Sequence, residues 1–63
     1  MYNVGDIMVQ RGRGWNMVYK IIEKITDSSG ISLYILQSVK LKYDIIENVS
    51  EGYLNLYYIK RNF

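Results

Sequence analysis

The feature that most constrains this chain is one polar corner, Asp27-Ser28-Ser29-Gly30, set between two runs rich in β-branched and aromatic residues. Asp and Ser bond readily to nearby backbone and Gly takes positive φ without cost, so the corner predicts a tight reversal. A β-hairpin follows. Its second arm, Ile31 to Ser38, sets Ile31, Leu33 and Ile35 against Ser32, Tyr34 and Leu36. Large apolar groups on both faces imply a central strand covered at least in part on both sides.

The first arm, Met17 to Thr26, fits two periodicities. As a helix, with Asn16 as N-cap, it aligns Val18, Ile21, Ile22 and Ile25. As a strand it places Met17, Tyr19, Ile21 and Ile25 on one face, with Glu23 the exception. Composition favours the strand, because Val, Tyr, three Ile and Thr prefer extended backbone and the segment holds neither Ala nor Leu. Upstream, Val4 to Gln10 alternates Ile7 and Val9 against Asp6, Met8 and Gln10, a further strand pattern. Arg11-Gly12-Arg13-Gly14 then breaks regular structure and predicts a turn or loop.

Beyond the hairpin, a turn around Lys40 to Lys42 leads to a strand carrying Ile45, Ile46 and Val49. Ser50-Glu51-Gly52 resets the chain, and Tyr53 to Ile59 again fits two readings. With Ser50 as N-cap, Leu54, Tyr57 and Tyr58 make one face of a short helix. As an edge strand the alternation is Leu54, Leu56 and Tyr58. A single helical turn followed by an extended end is the reading adopted. The fold class expected is therefore mostly β: a small barrel or strongly bent antiparallel sheet of four to five strands, with a short C-terminal helical turn. Residues 1–63 are expected to form one small β-barrel domain.

The 63 residues contain no Cys and no His. Disulfides, thiolate nucleophiles, iron-sulfur clusters and Cys-based zinc sites are thereby excluded, and the usual neutral-pH base and commonest transition-metal ligand are missing. Only shifted carboxylates among Asp6, Glu23, Asp27, Asp44, Glu47 and Glu51 remain for proton chemistry, and their positions beside turns or between apolar residues suit solvated faces. Lys40 and Lys42 lie near enough to neutralise Asp44 and Glu47. Gly12 and Gly14 lack the spacing of a phosphate-binding loop. No enzyme activity and no cofactor are expected. A chain this short buries only roughly 60% of its unfolded surface, so association with a partner or a second copy would add stability. No apolar run approaches the ~20 residues of a membrane span, and a cytoplasmic location with no membrane partner is the default expectation.

The order of signals resembles the small SH3-like barrels in which a Val-Gly-Asp-x-Val strand opens the sheet. Here Val4-Gly5-Asp6-Ile7 stands first, then the Gly-containing loop, Val18-Tyr19-Lys20-Ile21-Ile22, the polar turn and Tyr34-Ile35-Leu36. Those barrels include Tudor and KOW modules and the polymerase-binding domain of CarD-type transcription regulators. In style the chain is also similar to the short proteins of AT-rich phages and prophages built on that scaffold, with nine Ile, seven Tyr and five Asn. KOW modules carry a further Gly where Asn16-Met17 stand here, and the Tyr residues match no Tudor aromatic cage, so no functional residue is transferred.

The residues themselves point to surfaces. Arg11, Arg13 and Trp15 share one loop that offers two guanidinium groups and a stacking ring, with Lys40, Lys42, Lys60 and Arg61 available to extend the positive area. That suits weak, accessory nucleic-acid contact, because two Arg release few counterions; the alternative is that the Arg solubilise the loop while Trp15 folds back over the barrel end. Tyr2, Tyr43, Tyr53, Tyr57 and Tyr58 exceed what so small a core absorbs, and Tyr and Trp dominate protein interfaces. They would equally roof the sheet with their hydroxyls in water. An exposed edge strand offers a further route to a partner or to another copy. The expected function is a non-enzymatic module docking on a protein partner, such as a phage-type modulator of a host enzyme. Arg11, Arg13 and Trp15 would form its edge, and Tyr53, Tyr57 and Tyr58 its anchors. Weak nucleic-acid binding through Arg11, Arg13 and Trp15, and homo-oligomer formation, are the two alternatives.

Overall fold

The computed structural model describes residues 1–12 and 17–61. Among them the chain forms β1 (Ile7–Gln10), β2 (Val18–Thr26), β3 (Ser32–Ser38), β4 (Ile45–Ser50), α1 (Glu51–Tyr57) and β5 (Tyr58–Arg61). The strands make one antiparallel sheet in the order β4-β3-β2-β1-β5. The protein is mostly β, as expected, and of the two forms expected the sheet is the open one, with β4 and β5 at its ends.

The hairpin forms where the polar corner places it. One carboxylate oxygen of Asp27 accepts the Ser29 N–H at 2.9 Å, the Ser29 hydroxyl at 2.6 Å and the Ile31 N–H at 3.0 Å, while Gly30 takes φ +89°. These donors, the Ser29 hydroxyl foremost, hold the Asp27 carboxyl below its ordinary range. Beyond the turn, β2 and β3 pair from Thr26↔Ser32 back to Tyr19↔Ser38. The first arm is thus a strand from Val18 to Thr26, as its composition indicated.

Its faces differ from simple alternation. The β2–β3 register slips between Ile21 and Glu23, so β2 carries an extra residue at this point. Tyr19 and Ile21 point into the core before the slip, and Lys24, opposite buried Tyr34, lies on that face after it. Ile25, expected beside Ile21, is half exposed instead. On β1 the fully buried residue is Met8, between the half-buried Ile7 and Val9. A second slip in β4, between the pairs Tyr34↔Val49 and Leu36↔Ile46, sets Glu47 and Asn48 against one residue of β3. Asn48 adopts φ +58°, a left-handed conformation that Asn tolerates better than most side chains.

Ser50 caps α1 as the sequence predicts, its hydroxyl accepting the Tyr53 N–H at 3.1 Å. The helix presents Leu54 to the core, and the extended end joins β1 as β5. Tyr57, expected on the inner helical face with Leu54, is half exposed, because Tyr58 already belongs to β5. The core consists of Met8, Tyr19, Ile21, Tyr34, Leu36, Val49, Leu54 and Tyr58, with Tyr2, Met17 and Ile46 packed at its margin.

Leu54 is the helix's only buried residue and is fully enclosed. Leu54→Ala should cost ~2–5 kcal/mol, comparable to the whole stability of a chain this short. Chemical denaturation should find that variant largely unfolded in buffer, whereas Leu56→Ala, at an exposed position of the same helix, should keep its midpoint.

Candidate functional site

The β1–β5 ladder runs one step past the strands: after Gln10↔Tyr58, the Arg11 N–H donates to the Tyr57 carbonyl at 2.7 Å. Arg11 and the C-terminal end of the tyrosine-bearing helix therefore meet at one end of the sheet. Tyr53 and Tyr57, four residues apart on α1, pack in a tilted pair with ring centroids 4.6 Å apart and planes inclined at 46°. Both are about half exposed, at 45% and 50%.

From this pair the rings lead inward. Tyr53 lies 6.2 Å from Tyr58, and Tyr58 meets Tyr19 edge-on at 6.1 Å. The Tyr19 hydroxyl donates to Asp44 at 2.8 Å. Burial, then the Asp44 hydrogen bond, pushes the Tyr19 phenol up to about 12. Burial also raises Tyr58, helped by Tyr53 and Asp44. These phenols stay protonated at neutral pH and act as donors or as flat apolar surface.

Beside Tyr53 the β4 bulge borders a hollow of about 210 Å³ lined by Ile46, Glu47, Asn48, Val49 and Ser50. Ligand pockets usually exceed ~300 Å³, so this hollow suits one inserted side chain better than a bound metabolite.

Of the expected surface residues, Arg11, Tyr53 and Tyr57 are brought together. Tyr58 sits in the core at 3% exposure, because it starts β5 on the inner face opposite Gln10. Arg13 and Trp15, with the Asn16 cap of the helical reading, lie outside the described residues. Tyr2 packs edge-on against Tyr34 and donates its hydroxyl to Asn55, while Tyr43 stands apart in the β3–β4 loop. The sequence reading missed the hollow. Its signal was the polar Glu47-Asn48 pair interrupting an apolar run, a common mark of a bulge.

The carboxylates are dispersed. Asp6 pairs with Lys60 at 3.5 Å, Asp27 holds its turn, Asp44 accepts from Tyr19 and Glu51 accepts from Tyr34 at 3.0 Å. Asp44 is thus held by a phenol. Among the described residues no group of three or more acidic side chains is placed to hold a metal ion. None of their helices is long and apolar enough to cross a membrane.

Fold and site together define a class: a small, mostly β protein of five antiparallel strands in one open sheet with a short helix before the last strand. Comparison with protein-family models, curated proteins and solved structures returns no match.

The raised Tyr19 value carries a pH signature. Its neutral form belongs to the fold, so this contribution is complete below pH 10 and is lost as pH rises toward about 12. A tyrosinate absorbance titration followed alongside circular dichroism should show Tyr19 ionising together with loss of the sheet. A fold intact beyond pH 12 with every tyrosine ionised contradicts the Tyr19–Asp44 assignment.

Proposed function

We propose that this chain is a non-enzymatic docking module on an SH3-like scaffold, and that its target is another protein, which it influences by occupying a surface. A five-stranded antiparallel sheet with bulges in β2 and β4 is compatible with the small barrel that the Val4-Gly5-Asp6-Ile7 opening resembles. The observation that carries the reading is the Arg11–Tyr57 backbone bond. It joins an arginine with no ion pair among the described residues to two packed, half-exposed tyrosines.

Such a surface is built like an interface centre. Tyr53 and Tyr57 are held by their helix and by each other, so they contribute large contact area with little ordering entropy left to lose. Exposed Leu56 on the same helix and the hollow beside Tyr53 add apolar area and a recess for a partner side chain. Arg11 supplies charge at the margin, where it speeds encounter and sets orientation.

Capture from a cell lysate with the full chain, compared with Tyr53→Ala/Tyr57→Ala and Arg11→Ala variants, tests the proposal. The double tyrosine variant should keep its strand dichroism and lose at least about tenfold in retention of a protein partner. Arg11→Ala should weaken retention less and reduce its salt dependence. Retention that is nuclease-sensitive and falls steeply with salt would replace the protein partner with nucleic acid. A dilute solution mass at a multiple of 7.5 kDa, with nothing else captured, would replace it with self-assembly.

A further inference from the structure

Strand register places a second set of side chains next to the tyrosine and arginine end. On the sheet face opposite the core, one row crosses all five strands as Ile45, Gln37, Lys20, Ile7 and Arg61. The neighbouring row holds Val18, Val9 and Ile59, and one further step along the β1–β5 ladder reaches Arg11 and Tyr57. Ile7, Val9 and Val18 are half-buried and Ile59 is exposed. An aliphatic centre on β5, β1 and β2 is thus framed by Arg11, Lys20 and Arg61.

Those three cations make no ion pair and no side-chain hydrogen bond among the described residues. Two other basic groups are engaged: Lys60 on Asp6, and Lys24 on the Tyr2 carbonyl at 3.0 Å and the Tyr34 ring. Four of the six carboxylates hold structural partners elsewhere. Glu23 lies past the β2 bulge, and Glu47 lies within the bulge of β4, the edge strand remote from β1 and β5.

We infer that this outer face of β5, β1 and β2 receives an acidic amphipathic helix of the protein partner, an inference that rests on the docking reading above. The aliphatic centre takes the helix's apolar side, and Lys20 and Arg61 take carboxylates two turns apart. Their strands are separated by one intervening strand, roughly 9 to 10 Å, and seven residues of helix advance about 10.5 Å. Arg11 engages the acidic flank beside Tyr57. Nucleic acid fits the face less well, since Val9, Val18 and Ile59 offer phosphates nothing and the centre holds no ring on which a base stacks. A lipid surface also fits less well, because short β-branched side chains nearly flush with a sheet do not reach the acyl layer.

The test is a titration of isotope-labelled full chain, read by amide chemical shifts. The probes are a synthetic amphipathic helix of Leu and Glu, its Leu and Lys counterpart, phosphatidylserine-containing vesicles and a single-stranded DNA oligonucleotide. The Leu and Glu helix should shift Ile7, Val9, Val18, Lys20, Ile59 and Arg61, weaken with salt, and bind about tenfold more weakly to Lys20→Glu/Arg61→Glu. Lys20→Gln/Arg61→Gln gives the same direction with a smaller loss should charge reversal disturb the fold. Equal binding of the Leu and Lys helix, shifts confined to other residues, no shifts at all, or tighter binding of vesicles or DNA would each overturn the inference. A captured partner that depends on Tyr53 and Tyr57 but ignores Lys20 and Arg61 overturns it too, while leaving the docking module intact. Loss of any protein partner removes the docking module itself.

Discussion

The extra residue in β2 between Ile21 and Glu23 is the constraint on which the rest of the structure depends. A regular strand continuing from Tyr19 and Ile21 would carry Glu23 and Ile25 into the core. Burying the unpaired Glu23 carboxylate there would cost several kcal/mol, more than a chain this short has to spare. The bulge reverses the alternation, turning Glu23 and Ile25 outward and bringing Lys24 onto the inner face opposite Tyr34. Lys24 is acceptable in that position because its long aliphatic stem covers apolar surface while the ammonium reaches the Tyr2 carbonyl. Bulges also increase local twist. This one lets the start of β2 serve β1 while its length serves β3.

With no disulfide available, two phenol–carboxylate pairs tie the pieces together. Tyr19 on β2 holds Asp44 at the end of the β3–β4 loop, and Tyr34 on β3 holds Glu51 in the first turn of α1. Each bond satisfies a hydroxyl whose ring fills the core and anchors a segment that local propensity alone would leave loose. Burial, reinforced by the partner carboxylate, keeps both phenols protonated well past neutral pH. Among the described residues no buried side-chain polar atom lacks a partner, so the fold carries little of the penalty that usually accompanies polar groups in a small core.

What the sequence made legible was local. The Asp27 to Gly30 turn, the Ser50 cap and the extended character of Met17 to Thr26 each depend on residues within a few positions of one another. The faces of the strands were not legible, because parity along β2 and β4 is broken by bulges whose signals, Glu23 among isoleucines and Glu47-Asn48 after Ile46, resemble ordinary solvent exposure. Met8 was hidden for a related reason: Ile7 and Val9 look like the core face, yet the register with Tyr19 turns the less conspicuous Met inward. The meeting of Arg11 with Tyr57 depends on the pairing of the first strand with the last, which no local pattern encodes. Tyr58 was misplaced by the same ignorance, since only that ladder puts it on the inner face.

Among the described residues the one short helix packs on the core face of the sheet, and no second helix lies on the other. β3 accordingly carries half-buried Leu33 and Ile35 on the face opposite Tyr34 and Leu36, and β1, β2 and β5 bring their own aliphatic residues to it. Left neutral, that face would invite pairing of identical copies. Arg11, Lys20 and Arg61 oppose this, because two copies meeting face to face would set cations against cations at the edge of a water-excluding contact, where unpaired charge is most costly. The same charges that would favour an acidic partner therefore disfavour a symmetric dimer through this face. Attraction and exclusion arise from one arrangement of three side chains around a β-branched centre, which is how an interaction surface acquires specificity without additional chain length.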